Sequence, residues 1–568
     1  MKNKEGFTRN IFTLVIIIFL SLFSFMVLGE FKTGIGFGKD VRVMIKTKDH
    51  DALDAFIHQS VHKGIETRKE TIVLDEYYLL TSSYAGPLTS YENELKEAIA
   101  DIDIIHSGSF GSLTKLQNYQ SFVAVYIFVY ISLIVIYFYY RFKIIGLYTG
   151  LEIVLAIVGA LSIVALFNYP LTKSLWFSFL VGSLVMIAQK RAQLTRNTGR
   201  SLAKVYESLP LYTKQCVLHT LIFLLMGLIT FHKAPYDFPS VSIFFIALAL
   251  INFIGEILWN RLGTYLILFL SHEDKKEPVL FESEAILSVG DDLSRKYKFV
   301  RHVFMVLFLL SVVLGVLYGF NYQEGEDFSN LNVVVIEKSD PSTFLQVEAT
   351  LHQMDYFSDQ LGYEVSEQGH IWLNFDAHLT ERELMNISNK IEETTFIETG
   401  YFKTISATPP LLSRTFYTRA LSMIMVSILM QWLFLEKQHF FSYVAASFLS
   451  FIFFLLLVIV YQLNWTREIV LASWFFPLMM ATTIIEEPRI LTEQHQAGIV
   501  QSAIYSLTSI SLVSVPVLII VPTRIGIEIA FIMILGFLAI HFAYCFVSAG
   551  KQINKEVFHE DETRTSNC

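Results

Sequence analysis

The sequence predicts a multi-pass α-helical membrane protein with two α+β domains outside the bilayer, and three observations predict it. Apolar residues make up 53% of the chain, with 49 Phe in 568 positions, more than one water-soluble core of ordinary surface polarity can bury. They are concentrated in runs long enough to cross a bilayer, which takes about 20 residues. The runs also recur in one layout twice, each half being one span, a polar segment of about 90 residues and five further spans. Twelve transmembrane helices in two six-helix repeats (1+5, 1+5) follow, a construction common in transporters.

The first half places its spans at Ile11–Gly29, Gln120–Tyr140, Ile144–Phe167, Thr172–Ala188, Cys216–Phe231 and Ser240–Leu258. The second places them at His302–Phe320, Thr415–Leu435, Phe441–Leu463, Ile469–Ile485, Ala503–Val521 and Gly526–Val547. The chain therefore divides into an N-terminus and first span (1–29), a first outer domain (30–118), spans two to six (119–271), a linker (272–301), span seven (302–320), a second outer domain (321–412), spans eight to twelve (413–548) and a tail (549–568). The first run follows Lys2, Lys4 and Arg9 but lacks a small-residue cleavage site, so it reads as a retained anchor rather than a signal peptide.

Positive charge sets the orientation. Arg141 and Lys143 follow span two, Lys190, Arg191, Arg196, Arg200 and Lys204 follow span four, and Lys275, Lys276, Arg295, Lys296, Lys298 and Arg301 lie between spans six and seven. The alternate short loops hold only Lys173, Lys233, Arg467 and Arg524. Both termini are thus expected in the cytoplasm and both large polar segments outside. The three Cys, at 216, 545 and 568, lie in neither outer segment, so no disulfide within either can staple it.

The outer segments share a pattern. In the first, DVRVMIKT (Asp40–Thr47) alternates as a strand, Asp51–His62 has helical spacing, ETIVL and YYLLTS suggest a hairpin, Leu88–Ala100 is helical and DIDIIHSG closes as a strand. The second repeats the order with NVVVIEK (Asn332–Lys338), a helix opened by Asp340-Pro341, GYEVSEQG turning into HIWLNFD, a helix over Leu379–Glu393 begun by Thr380-Glu381, and FIETGYFKTIS. Both predict ferredoxin-like sandwiches.

The layout resembles the resistance-nodulation-division superfamily, and its local motifs resemble the protein-export branch, the fused SecD and SecF accessory subunits of the Sec translocon. GIGFGKDVRVMIKT (Gly34–Thr47), with Gly34, Gly36 and Gly38, is similar to the glycine turn that leads into the first outer strand of that family. SRKYKFVRHVFMVLFLLSVVLGVLYGFNYQEGEDF (Ser294–Phe328) is similar to the basic entry, first span and acidic turn of SecF, and QKRAQLTRNTGRSLAKVYES (Gln189–Ser208) to the cytoplasmic segment after span four. The resemblance implies a bacterial cytoplasmic membrane location, a role in polypeptide export beside the SecYEG translocon, a YidC-type insertase as a further partner, and contact with the translocating chain and membrane lipid. Neither nucleic acid nor a cofactor is implied.

The departures concern energy coupling. That family couples export to proton flow through ionisable residues in the spans, and the resemblance puts Ser183 where span four should carry Asp and Thr482 or Thr483 where span ten should carry another. Span eleven holds no Arg. Because an intramembrane carboxylate is costly and kept where it works, spans four and ten are expected to meet through small, neutral residues, with no proton conduction by the family route.

Other ionisable groups near the spans are Glu152, Glu256, Glu486, Glu487, Glu528 and His541. Glu152 and His541 each need a polar partner or a water-filled pocket; a neutral His541 bonded to a neighbouring helix meets that need. Glu256, Asn260 and Arg261 read as an interfacial ion pair rather than a relay. The GIGFG string precedes a strand rather than opening a helix, which removes a dinucleotide reading, and His58 with His62 lacks a nearby third metal ligand. With no P-loop, GxSxG or HExxH string, the chain is not expected to be an enzyme or to bind metal.

Charge separates the outer segments: 14 acids against 10 Lys plus Arg over 30–118, and 16 against 4 over 321–410. The acidic one is repelled by anionic headgroups and favours a basic partner, or is simply soluble. The basic stretches Lys190–Lys204 and Arg295–Arg301 suit anionic lipid, a ribosome or a translocon. Three roles stay open: an export accessory, an exporter of a lipid or small apolar molecule, and a non-transporting scaffold for translocon or insertase.

Overall fold

A computed structural model describes residues 34–35, 39–72, 76–110, 119–196, 209–231, 238–254, 297–318, 331–337, 341–354, 361–375, 379–405, 410–434, 440–486, 527–536 and 538–540. The first α+β unit runs β1 (Asp40–Thr47), α1 (His50–His62), β2 (Thr67–Ile72), β3 (Tyr77–Ser82), α2 (Leu88–Ala98) and β4 (Ile102–Phe110). Its strands lie in the order β4-β1-β3-β2, all antiparallel. Alternation along β1 decides the layers: Val41, Val43 and Ile45 face α1 and α2 and pack on Leu53, Phe56 and Tyr91, whereas Met44 faces the other way. The Asp49 carboxylate caps α1 by accepting from Ala52 N at 2.9 Å.

Next come α3 (Tyr119–Leu166), α4 (Lys173–Arg196), α5 (Leu209–Thr230), α6 (Pro239–Ile254) and α7 (Tyr297–Tyr318). The sequence separates spans two and three, and the chain joins them through one residue, Lys143, at φ 57° and ψ −136°. The two arms of α3 then lie against each other because Gly146 and Gly150 carry no side chain. A Cβ on Gly146 would stand 1.7 Å from the Phe138 carbonyl oxygen, and one on Gly150 would stand 3.1 Å from Val135 Cα. Small residues four apart permit this approach.

The second unit runs β5 (Asn332–Ile336), α8 (Pro341–Gln353), β6 (Leu361–Val365), β7 (Ile371–Phe375), α9 (Glu381–Thr395) and β8 (Thr399–Ile405). Its order β8-β5-β7-β6 reproduces the first unit strand for strand. α9 starts in a capping box: Thr380 Oγ1 accepts from Glu383 N while the Glu383 carboxylate accepts from Thr380 N at 2.7 Å. That bond holds the Glu383 carboxyl below its ordinary pKa.

The units form one eight-stranded sheet. β2 meets β8 over two residue pairs, Thr71 with Ile405 and Ile72 with Thr404. The outer edges also meet, where Glu367 N donates to Ser109 O at 2.7 Å and Ser109 N donates to Gln368 Oε1 at 2.9 Å. Arg42 and Glu364 form an ion pair at 2.9 Å across this join. Between the units Met44, Phe110, Val333, Trp372 and Phe402 make a shared core, with the Trp372 ring 5.5 Å from Phe110 and 5.7 Å from Phe402.

The remaining helices are α10 (Arg414–Phe434), α11 (Phe440–Val460), α12 (Arg467–Glu486) and α13 (Ile527–Ile540). One continuous apolar core takes residues from α3 through α6 and from α10 through α13. Aromatic contacts join the halves inside it: Phe238, just before α6, and Phe245 of α6 meet Trp474 and Phe475 of α12 at 6.2 and 5.1 Å. The predicted first and eleventh spans lie outside the described residues.

Candidate functional site

Helices α4 and α12 enter the bundle through matching turns. Asn168 and Gln462 both take left-handed backbone, at φ 57° and 50°, and each turn closes with the same bonds: Asn168 N to Ala165 O and Tyr169 N to Val164 O, against Gln462 N to Ile459 O and Leu463 N to Val458 O. A threonine then precedes each helix, Thr172 and Thr466, with its carbonyl taken by Trp176 N and Val470 N. Thr172 Oγ1 also accepts from Leu175 N at 3.0 Å. Corresponding residues are 294 apart, and in that register Ser174 of α4 corresponds to Glu468 of α12.

Those two corresponding residues touch. Ser174 Oγ donates to Glu468 Oε1 at 3.0 Å, and both are buried. A carboxylate thus stands in the first turn of α12, one residue before the expected start of span ten. Nine residues further along α4, about 13 Å, Ser183 is fully buried and donates to its own helix at Phe179 O, 2.6 Å away. Its hydroxyl is thus satisfied locally. Tyr130 lies beside it, its ring 5.2 Å from Phe179.

Carried forward by the same 294 residues, Ser183 corresponds to Pro477 of α12, whereas the family resemblance points to Thr482 or Thr483. Both threonines are in α12, one turn or more beyond. Pro477 has no N–H, and its carbonyl accepts from Ser427 Oγ of α10 at 2.8 Å. Gln431 Nε2, one turn along α10, donates to Ser447 Oγ of α11 at 2.7 Å. A neutral, hydrogen-bonded ladder therefore crosses α11, α10 and α12. Arg419 of α10 is buried with its guanidinium 4.7 Å over the Trp474 ring.

The far end of α4 carries charge. The sequence ends span four at Ala188 and leaves Lys190 for a lipid surface, whereas α4 continues to Arg196 and buries Lys190 and Arg191. Lys190 Nζ lies 2.5 Å from Glu152 Oε1 on the second arm of α3, which supplies the partner that Glu152 requires. Arg141 is also buried, on the first arm, donating to Tyr137 Oη at 2.7 Å.

Gly34 belongs to a second junction, between the first unit and the bundle. Gly34 N donates to Leu171 O at 3.0 Å in the loop before α4, Ile35 N donates to Glu66 Oε2 at 2.8 Å, and a Cβ on Gly34 would stand 2.6 Å from that carboxylate. Gly36, Gly38, Glu256 and His541 lie outside the described residues. Glu468, Arg419 and the buried His219 of α5 are further polar groups in the bundle that sequence reading passed over. Arg419 was visible as a lone arginine inside an apolar run; Glu468 falls one residue before the expected start of its span. Among the described residues no group of His, Cys, Asp and Glu could hold a metal ion.

The helical bundle, fused to paired α+β units, includes two stretches long and apolar enough to cross a bilayer, Ile145–Leu166 and Arg414–Phe434. No protein-family model and no curated protein matches the sequence. Solved structures do. The chain is similar to SecDF, a translocon-associated membrane protein from Thermus thermophilus, at TM-score 0.53 and 12% identity over 90% of this chain and 75% of that one. It is similar to SecDF in a super-membrane-facing form at TM-score 0.58 and 10% identity, over 97% of this chain and 100% of that one. The hedgehog release protein Disp of the water bear Hypsibius dujardini overlaps at TM-score 0.41 and 10% identity, over 84% and 76%. The chain has a SecDF-like fold.

Proposed function

We propose that this chain is a SecDF-like accessory subunit that assists polypeptide movement across or into the cytoplasmic membrane and that does not use the usual intramembrane proton-coupling carboxylates. Its twelve spans form two six-helix repeats, both termini are cytoplasmic, and the joined α+β units stand outside, where they contact an extended polypeptide emerging from SecYEG. A YidC-type insertase is the second partner. The observation that carries this reading is the overlap with SecDF along 97% of the chain, together with one small sandwich per half, which leaves little room for a drug- or lipid-sized porter cavity.

The energetic part of the reading rests on Ser183 and Pro477, the corresponding mid-helix positions. A hydroxyl bonded to its own helix and a proline cannot titrate near neutral pH, and proton transfer through the bilayer needs a group that can. Glu468 is about 13 Å from the Pro477 level along α12, at the end where α12 begins, and serves as the contact between halves.

Photocrosslinkers at exposed Met385 and Phe396, read out during secretion of a model preprotein, test the substrate. Adducts to the preprotein and co-purification with SecYEG are expected. Labelling by lipid or drug probes alone would assign the chain to small-molecule export, and stable SecYEG or insertase binding without preprotein adducts would make it a scaffold. In proteoliposomes no pH-gradient-dependent current is expected; a current lost in Glu152→Gln or Glu468→Gln would establish a rewired pump.

A further inference from the structure

His106 of β4 crosses the seam between the two α+β units. Its Nδ1 lies 3.4 Å from Glu337 Oε1, just after β5 in the other unit. Its ring lies over Gly400 of β8, so closely that a Cβ there would stand 2.4 Å from Nε2 and 3.0 Å from Cε1. Glycine at 400 is what lets the imidazole enter. Met44, opposite His106 on β1, belongs to the shared apolar core. The charged and titratable groups that face the imidazole are Glu337, Glu398 and His370, all from the second unit.

We propose that His106 is a pH-sensitive latch between the two units, holding them together as a neutral imidazole and releasing them when it is protonated. In the neutral ring one nitrogen donates to Glu337 and the other carries a lone pair against the Gly400 backbone. A second proton puts a full charge on a ring that is mostly buried in the seam and packed against the Gly400 backbone.

The electrostatics set the direction. Burial lowers the His106 pKa below its ordinary value and His370 lowers it further, while Glu337 and Glu398 oppose both, with burial the largest effect. A histidine that binds its proton less readily when docked than when released stabilises the docked state above its free pKa, about 6.5, and that stabilisation declines as pH falls below it. Release would uncover the core around Trp372 and the join of β2 with β8.

The test is a pulsed electron-spin distance between labels at exposed Glu97 of α2 and Lys390 of α9 in the full-length protein in nanodiscs, from pH 8 to pH 5. A single short distance is expected at pH 8, with a longer population growing below about pH 6.5. His106→Gln should abolish the pH dependence. Gly400→Ser should show the long population at every pH, because it removes the space for the ring. His370→Gln should weaken the transition and move it to lower pH, because removing the like charge brings the docked pKa closer to the free one. A wild-type distance that does not change between pH 8 and pH 5 would overturn the latch, as would the same transition in His106→Gln or a transition moved to higher pH in His370→Gln.

Discussion

Ser174 and Glu468 are bonded to each other at 3.0 Å although 294 residues separate them, and the turns that launch their helices show that they occupy the same position in the two halves. Contacts between corresponding residues mark the place where two related halves meet. One half supplies a hydroxyl donor and the other a carboxylate acceptor, so the junction joins unlike halves.

Removing that acceptor should cost more than an ordinary hydrogen bond. Glu468→Leu is expected to lower stability by about 2 kcal/mol, in the range for hydrogen bonds to charged groups, and Glu468→Gln by less because an acceptor oxygen remains. Unfolding in mixed micelles, followed by tryptophan fluorescence, checks the order.

The two arms of α3 depend on glycine to different degrees. Gly146→Ala drives a methyl into the backbone of Phe138, with a 1.7 Å approach that no rotamer relieves, whereas Gly150→Ala meets Val135 at 3.1 Å. Gly146→Ala should abolish monodisperse protein in size-exclusion chromatography, and Gly150→Ala should fold with a loss of about 1 kcal/mol. Equal behaviour of the two variants would contradict the hairpin.

Breaking the Lys190–Glu152 pair strands a buried charge. Lys190→Met should destabilise by about 3–5 kcal/mol, and the double variant with Glu152→Leu should recover most of it, since the desolvation cost leaves with both partners. A double-mutant cycle on thermal unfolding measures the coupling; additive losses would mean that the two side chains do not act as a pair.

Tyr91 gives the first α+β unit an alkaline limit. Burial pushes its phenol up to about 12, opposed by bonds from Ser82 and Thr67. Its hydroxyl lies 2.5 Å from Ser82 Oγ. The folded state holds the phenolic proton more tightly than the unfolded chain, so stability is full below pH 10 and is lost as pH rises towards 12. Circular dichroism against pH should show this loss in wild type and a weaker slope in Tyr91→Phe.

Much of the fold can be read along the chain because it is written in short-range patterns. Alternation in Val41, Val43 and Ile45 marks a strand with one buried face, Thr380 with Glu383 marks a helix start, and the apolar runs mark helices whose backbone must satisfy itself. Each depends on neighbours within a few residues. The register between distant segments does not. That β2 meets β8, that Ser174 meets Glu468 and that Lys190 turns inward to Glu152 follow from packing two halves together, where the distance in space bears no relation to the distance in sequence. A local motif could be read at Ser183 in α4, whereas the correspondence of Ser183 with Pro477 in α12 comes only from the matching turns at Asn168 and Gln462. Composition and periodicity determined which segments are helix, strand or span. Tertiary structure decided which polar groups are paired, since a buried charge is tolerable only beside a partner and the partner is chosen by the fold.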